Sequence, residues 1–235
     1  FSSSIKLLHQ DVQQPIFDIY GFVRFADEIV DTFHEYDKLA LFNKFKADTY
    51  LALEQKISLN PILHRFQLTY HKYQIDPLLL DAFLVSMEMD LSNQQYDTST
   101  YNTYIYGSAE VVGLMCLYIF CEGNIDSFNK LKPAAQRLGA AFQKVNFLRD
   151  IKADFEGLDR MYFPNCDFTK FSKEDKIKIE EDIQADFSFA LIGIKQLPLK
   201  VRFGVYVAFK YYYSLFKKIT KATRLPSKTL NYLIS

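Results

Sequence analysis

The sequence has few of the residues that break or cross-link a chain. Its 235 residues include eight glycines, seven prolines and three cysteines, against 22 phenylalanines and 16 tyrosines. Scarce glycine and proline exclude a fold built from many tight turns and favour long helices. The odd set of cysteines, Cys116, Cys121 and Cys166, has no C-x-x-C spacing. This spacing excludes a zinc ribbon and a disulfide framework, and it favours a reduced, cytoplasmic setting.

The sequence also lacks an excess of either charge and any long apolar run. Its 28 basic and 28 acidic side chains give no global basic field, so nucleic acid is not an expected partner. The longest apolar run, residues 111–121, is far shorter than the ~20 residues that span a bilayer. No signal peptide is visible, and because the chain begins at Phe1 we expect a short N-terminal piece to be missing.

The sequence does contain several signals that are typical of the start of a helix. Asn60-Pro61 and Asp76-Pro77 each supply an N-cap followed by proline at the first helical position. Further helix starts are predicted at Pro15, Pro133, Pro198 and the capping box "SKED" of residues 172–175. A helix is also expected from Tyr101 to Cys121. With no alternating strand pattern, repeat or linker, residues 1–235 are predicted to form one all-α domain of roughly eight helices.

Two of these helices carry acidic pairs within otherwise apolar segments. Residues four apart on a helix differ by ~40° in direction, so each of two sets shares one face. The first set, in "YGFVRFADEIVDTF" at 20–33, comprises Tyr20, Arg24, Asp27 and Asp31. The second set, in residues 139–154, comprises Gly139, Gln143, Asn146, Asp150 and Asp154, with Arg149 at its edge.

Paired carboxylates on an apolar face require a positive partner, because burying them unpaired is costly. His9, His34, His64 and His71 show no ligand spacing, which argues against a zinc or di-iron site. Aspartate oxygens completed by water and phosphate suit Mg²⁺, with Mn²⁺ as the alternative ion, and neighbouring arginines suit phosphate oxygens. A single D-x-x-x-D pattern usually lies on a solvent-exposed helix face, but two such pairs together predict a magnesium-diphosphate site.

The segments that carry these pairs resemble a known family. The stretches are "FSSSIKLLHQDVQQPIFDIYGFVRFADEIVD", "YIYGSAEVVGLM" and "AQRLGAAFQKVNFLRDIKADFEGLDRMYFP". They resemble the squalene and phytoene synthase family of head-to-head prenyl synthases, most closely its bacterial phytoene synthases, from Phe1 to about Phe216. The resemblance implies an all-α isoprenoid synthase fold (class I terpenoid synthase) with a central cavity.

The resemblance also implies roles for individual residues. Asp27 and Asp31 on one helix, with Asp150 and Asp154 opposite, would bind Mg²⁺ and a diphosphate. The remaining site residues that it implies are Arg24 and Arg149 on diphosphate oxygens, Gln143 and Asn146 at the reacting centre, Tyr20 and Tyr104 near the leaving diphosphate, and Tyr212 as a late tyrosine of the diphosphate site. The sequence departs from the family pattern at three positions: Glu28 after Asp27, Glu110 where the family often has glycine, and Asp159 before Arg160. We assign no role to Arg160.

The implied reaction joins two geranylgeranyl diphosphates to phytoene through a cyclopropyl diphosphate, with Mg²⁺ and without NADPH. The alternatives are a squalene or dehydrosqualene synthase that uses farnesyl diphosphate, and a catalytically silent scaffold homologue.

The small residues Gly107, Ser108, Ala109 and Gly113 would let a lipid chain pass, or would serve close helix packing. The basic cluster of Lys217, Lys218, Lys221, Arg224 and Lys228 is expected to be a solvated helix end, with diphosphate steering or peripheral membrane contact as the alternatives.

Overall fold

The structure, a computed structural model, describes residues 2–91, 97–157 and 173–222. No strand occurs within these ranges, so the predicted all-α class is confirmed. The helices are α1 Ser2–Ile5, α2 Gln10–Asp31, α3 Lys38–Gln55, α4 Pro61–Tyr73, α5 Pro77–Leu91, α6 Thr98–Ile105, α7 Val111–Cys121, α8 Ile125–Gly157, α9 Lys173–Ile194 and α10 Leu199–Ala222. A π-helical segment, Tyr106–Glu110, joins α6 to α7 without a break.

The predicted caps at two helix starts are confirmed. The Asn60 side chain accepts hydrogen bonds from the first backbone N–H groups of α4, and Asp76 does the same for Leu78 at the start of α5. Both caps satisfy donors that a helix leaves unpaired at its first turn. The capping box at residues 172–175 begins outside the described residues.

Two predicted starts were wrong, because both prolines lie inside helices. The helix α2 begins at Gln10, five residues before Pro15. The helix α8 begins at Ile125, eight residues before Pro133, and Asn124 caps it by accepting a hydrogen bond from the Ser127 N–H. A proline inside a helix removes one backbone hydrogen bond, and surrounding packing can offset that loss.

The first half of the core is an aromatic cluster that fixes α2 in place. The Phe22 ring of α2 stacks on Phe66 of α4 at 3.8 Å between centroids and on Phe45 of α3 at 5.3 Å. Beside them the buried Asp18 carboxylate accepts hydrogen bonds from Arg65 and Thr69 of α4. Because the charge of Asp18 is paired, its burial is tolerated, and α2 is held by both packing and charge.

The continuous helix formed by α6, the π segment and α7 runs through the centre of the molecule. Residues Thr98–Cys121 are long and apolar enough to cross a membrane by length and composition, yet 56% of the apolar window is buried inside the fold. Burial of this kind is what a core helix of a folded domain shows. The segment therefore serves here as a core element and packs against α2, α5 and α8.

Candidate functional site

A cavity of about 460 Å³ lies between the central helix, α2 and α8, with α1, α9 and α10 closing its other side. Most of its lining is apolar, and Val112, Phe120, Leu131 and Phe142 are typical. Small residues of the π segment and α7 also contribute, including Ala109 and Gly113. An apolar cavity of this size with few polar groups is the usual form of a small-molecule site.

The polar residues of the cavity come mainly from the two helices that the acidic patterns singled out. Seven of the eleven predicted site residues line the cavity, namely Tyr20, Arg24, Asp27, Gln143, Asn146, Arg149 and Tyr212. The three on α2 and the three on α8 are spaced three or four residues apart, which places them on the inner face of each helix. Tyr212 comes from α10. The structure therefore brings these members of the two predicted sets together in one site.

The carboxyl group of Asp27 is electrostatically perturbed. Burial raises its pKa to about 7, and the nearby charges of Asp31 and Glu28 add to the rise, while Arg24 opposes it. Burial disfavours the charged form of this carboxyl group, and an approaching cation would favour it again. The group is therefore suited to binding a cation and is costly without one.

The guanidinium of Arg24 has a partner that the sequence pattern did not predict. It forms an ion pair with Glu28, one turn later on α2. A hydrogen bond from Thr32 holds the pKa of Glu28 below its usual value, and Arg24 contributes to this lowering. Glu28, which departs from the family pattern, thus anchors Arg24 at the cavity mouth, and the half-exposed guanidinium keeps donors for a second acceptor.

The two amide side chains on α8 face each other inside the cavity. Asn146 donates a hydrogen bond to the Gln143 carbonyl oxygen at 3.5 Å. The buried side-chain oxygen of Asn146 has no hydrogen-bond partner among the described residues. Leaving such an atom unpaired is costly, so this oxygen is a natural point for a bound molecule, water or ion to contact.

The donor set of the site fits a hard cation. The oxygens of Asp27 and Asn146 belong to the ligand class that Mg²⁺ prefers, and because burial raises the pKa of Asp27, a bound cation would stabilise its ionised form. The helix α8 continues to Gly157, so Asp150 and Asp154 follow Asn146 on the same helix; their side chains lie outside the described ones. Within the described part of the chain no group of three or more acidic, His or Cys side chains is arranged to hold a metal.

Two predicted site residues do not line the cavity. Asp31 lies one turn beyond Asp27, exposed at the end of α2. Tyr104 is buried behind the wall, where its hydroxyl donates to Asp90 at 2.8 Å and its ring lies 5.8 Å from Phe147. Arg160, for which no role was predicted, is outside the described residues.

Aromatic and sulfur groups also line the cavity. The Tyr212 ring stacks on Phe142 at 4.1 Å between centroids, so both rings are fixed beside the cavity. Burial raises the pKa of the Cys116 thiol to about 12. The thiol therefore stays protonated at neutral pH and behaves as a small apolar group.

Sequence reasoning missed two features of the site. Ser108, grouped above with the small residues, lines the cavity, and its buried hydroxyl has no partner among the described side chains. Lys144, next to Gln143, is buried and bridges Asp182 and Asp186 of α9, the latter at 2.7 Å. A lysine one residue off the acidic stripe was the only signal for this bridge, which fixes α8 beside the cavity.

Comparison with solved structures shows the fold. A dehydrosqualene synthase in complex with ligand is similar with a TM-score of 0.80 and 17% identity, over 98% of this chain and 87% of that one. The squalene synthase HpnC from Alicyclobacillus acidocaldarius is similar with a TM-score of 0.80 and 18% identity, over 96% of this chain and 89% of that one. The predicted isoprenoid synthase fold is therefore confirmed.

Comparison of sequences shows the family. A presqualene diphosphate synthase from Rhodopseudomonas palustris is 26% identical over 70% of this chain, and a 4,4'-diapophytoene synthase from Staphylococcus haemolyticus is 24% identical over 79%. The chain spans 58% and 65% of the lengths of these two relatives. The family model for squalene/phytoene synthases matches residues 1–230, nearly the whole chain and both acidic segments, so the protein belongs to the squalene/phytoene synthase family.

Proposed function

We propose that this protein joins two geranylgeranyl diphosphates head to head, through a cyclopropyl diphosphate, and releases phytoene and two diphosphates. The observation that carries the proposal is the meeting of α2 and α8 at one apolar cavity, with Arg24, Asp27 and Arg149 among its polar lining. A lipid chain would occupy the apolar part, and its diphosphate would lie at the charged end. The C20 chain length rests on the resemblance to bacterial phytoene synthases.

Different residues of the site would have different roles in the ionisation of an allylic diphosphate. Asp27 and Asp31, with Asp150 and Asp154, would hold Mg²⁺, which when bound supplies Lewis-acid neutralisation of the leaving diphosphate. Arg24 and Arg149 would donate hydrogen bonds to diphosphate oxygens, where negative charge develops. Gln143 and Asn146 would orient the reacting carbons by contacts inside the cavity.

The remaining cavity wall protects the carbocation. Apolar side chains exclude water that would otherwise trap it, and the fixed rings of Phe142 and Tyr212 offer π faces that attract positive charge. The protonated thiol of Cys116 is a poor nucleophile, because the thiolate is the reactive form. With no hydride donor expected, loss of a proton would end the reaction and give a central conjugated triene.

A second candidate function uses two farnesyl diphosphates and gives dehydrosqualene. It is favoured by the similarity to two proteins, the dehydrosqualene synthase and the 4,4'-diapophytoene synthase. The silent-scaffold alternative is disfavoured by Asp27, since a protein without catalysis gains nothing from an acid whose pKa burial raises to about 7.

One assay separates these functions. The full chain is incubated with the C15 or C20 diphosphate and Mg²⁺, with and without NADPH, and the products are identified by mass and ultraviolet absorption. We expect a C40 triene from the C20 substrate whether or not NADPH is present. Turnover restricted to the C15 substrate, a reduced central bond, or arrest at a cyclopropyl diphosphate would each contradict the proposal, and a lack of diphosphate release from either substrate would support the scaffold.

A further inference from the structure

The charges of this neutral chain are separated along the sequence. After Asp186 there is no acidic residue, and residues 187–235 carry nine basic side chains. Because the whole chain has 28 residues of each sign, the first 186 residues hold 28 acidic and 19 basic side chains. The C-terminal part of the molecule is therefore strongly basic, and the opposing charge lies elsewhere.

The helix α10 presents part of this charge on an outward stripe that also exposes apolar side chains. We define the stripe by Leu199, Phe203, Tyr206, Lys210 and Lys217, whose spacing of three, four or seven residues places them on one side of the helix. Leu199 is 80% exposed and Phe203 61% exposed, and Tyr206, Lys210 and Lys217 are also exposed. Over these 18 steps the helix rises ~27 Å.

Neighbouring elements extend the apolar end of the outward stripe. The backbone N–H of His9 donates to the Lys200 carbonyl at 2.9 Å. This hydrogen bond holds the connection between α1 and α2 close to α10, and the connection includes the exposed Leu7. On the other side α9 packs against α10 and exposes Ile192. Three neighbouring elements therefore each expose apolar side chains.

The lysines of this face are not neutralised by the part of the chain that the structure describes. Lys217 donates to the Gln184 amide oxygen at 2.8 Å and lies over the Tyr213 and Phe216 rings, all of which are uncharged. Among described residues, Lys210 and Lys221 have no carboxylate within ion-pair distance. Their charge is available to an anionic partner.

We propose that the outward stripe of α10 binds the surface of an anionic lipid bilayer. Leucine and aromatic side chains next to lysines on one helix face are the composition of helices that lie in the membrane interface. Each lysine near an anionic surface strengthens binding about five-fold. A second copy of the chain fits this face less well. A parallel pairing of two stripes would oppose lysine to lysine, and an antiparallel pairing would bury Lys217 against Leu199.

The location of the outward stripe fits a protein that handles lipid chains. The opposite side of α10 lines the cavity through Gly204, Val205, Ala208 and Tyr212. One helix therefore separates the cavity from the surface that we assign to the bilayer. A lipid entering from the membrane, or a product leaving into it, would not need to cross bulk water.

Vesicle cosedimentation of the full chain tests the proposal without any substrate, so its result does not depend on the proposed reaction. The vesicles are phosphatidylcholine alone, or phosphatidylcholine mixed with an equal part of phosphatidylglycerol. We expect at least ~10-fold tighter binding to the anionic vesicles, with the difference lost at high salt. Equal binding to both kinds of vesicle, or binding to neither, would overturn the proposal.

Variants locate the binding surface. Leu199→Ser/Phe203→Ser and Lys210→Glu should each weaken binding to anionic vesicles about ten-fold or more, with unchanged helical content and melting temperature. Leu59→Ser and Lys56→Glu, at exposed positions between α3 and α4, are the matched controls and should bind as the unaltered protein does. Undiminished binding by the α10 variants would contradict the assignment, and so would a dimer in analytical ultracentrifugation that these variants dissociate.

Discussion

At the scale of single residues, Asp27 is held in the cavity at a cost to the folded protein. Its pKa of about 7 results first from burial and then from Asp31, so at neutral pH the folded state resists ionisation that the unfolded chain accepts freely. Such a cost is typical of sites where function requires a charge in a particular place. A substitution that removes this charge should therefore lower the activity without lowering the stability.

We predict that Asp27→Asn lowers turnover by at least ~100-fold, because it removes a metal-binding carboxylate. The metal-free variant should melt at the same temperature as the unaltered protein or higher, since the buried acid is gone. Asp48→Asn, at a lysine-paired position of α3, is the control for both measurements. Near-normal turnover of Asp27→Asn, or a clear loss of its metal-free stability, would contradict this account of Asp27.

A second residue-scale prediction concerns Glu110, whose pKa burial raises above its usual value. The folded state then binds the Glu110 proton more tightly than the unfolded chain does, so the cost is absent below about pH 4.5 and develops as the pH rises through the folded-state pKa. Glu110→Gln removes this cost and can still accept the hydrogen bond from Gln136. We expect the variant to be more stable than the unaltered protein at pH 8, with the difference shrinking toward pH 4.5.

Urea unfolding across this pH range measures the Glu110 effect. The control is Glu54→Gln at an exposed position of α3, which should change the free energy of unfolding by less than about 0.5 kcal/mol. A stability difference for Glu110→Gln that does not vary with pH would show that the Glu110 charge is not the cause.

The sequence predicted those site residues whose placement follows from helix periodicity. Tyr20, Arg24 and Asp27 share a face because of their spacing alone, and the structure places them along the cavity. The bridge from Lys144 to α9 was not predictable, because it depends on which helix packs alongside. The Arg24–Glu28 pair has the i, i+4 spacing of a helical ion pair, and it was missed because Glu28 was interpreted only as a departure from the family pattern. Tyr104 was assigned by motif, and its contact with Asp90 could not be read from spacing.

At the scale of elements, helix starts were predictable where the side chain supplies the cap. Asn60 and Asp76 act locally on the adjacent backbone, so sequence alone indicated them. Pro15 and Pro133 were wrongly predicted as helix starts, because tertiary packing allows α2 and α8 to begin before these prolines and continue past them. The π segment gave no recognisable signal, since its extra residue per turn is fixed by close contacts with neighbouring helices.

These close contacts depend on glycine. A Cβ on Gly107 would lie 2.4 Å from the Ala82 carbonyl oxygen of α5, and one on Gly139 would lie 2.5 Å from the Ala109 carbonyl oxygen. Such distances are too short for any side chain, so glycine lets the π segment approach both α5 and α8. Of the small residues, Gly107 therefore serves close helix packing, whereas Ala109 and Gly113 line the cavity. The passage of a lipid chain beside them stays a prediction.

We predict that Gly107→Ala destabilises the protein by about 1–3 kcal/mol, because backbone must move to admit the methyl group. Gly21→Ala in α2 is the matched control, since a Cβ there meets nothing within 4 Å. That control should stabilise the protein by about 0.5–1 kcal/mol, as alanine is the better helix former. Chemical denaturation compares the two, and similar stability changes for both would contradict the packing role of Gly107.

At the scale of the whole molecule, composition predicted the all-α class but concealed the arrangement of charge. Equal numbers of acidic and basic residues suggested no charged surface, whereas the acid-free stretch after Asp186 lies partly on one exposed helix. The site shows the same limit, because an average over the chain cannot reveal that a few charged side chains border one apolar cavity. The acid-free stretch can be read from the sequence, but its place on an exposed helix face and the border of the cavity both require the positions of the helices.

Metal binding is a further property of the assembled site. We predict that Mg²⁺ binds tightly only when a diphosphate is present, because this ion keeps its waters unless phosphate oxygens complete its shell. Titration calorimetry with Mg²⁺ alone, inorganic diphosphate alone and both together measures this dependence. Tight magnesium binding without diphosphate would indicate a structural metal site instead.

The most direct test of the central claim is a crystal structure of the full chain with Mg²⁺ and an unreactive thiolodiphosphate analogue of a prenyl substrate. The claim is that charged groups on α2 and α8 bind the diphosphate while the apolar cavity holds the hydrocarbon. We predict diphosphate oxygens within hydrogen-bond distance of Arg24 or Arg149, Mg²⁺ between them and Asp27, and the prenyl chain extending toward Phe120. A diphosphate bound away from α2 and α8, or a prenyl chain outside the cavity, would contradict the claim.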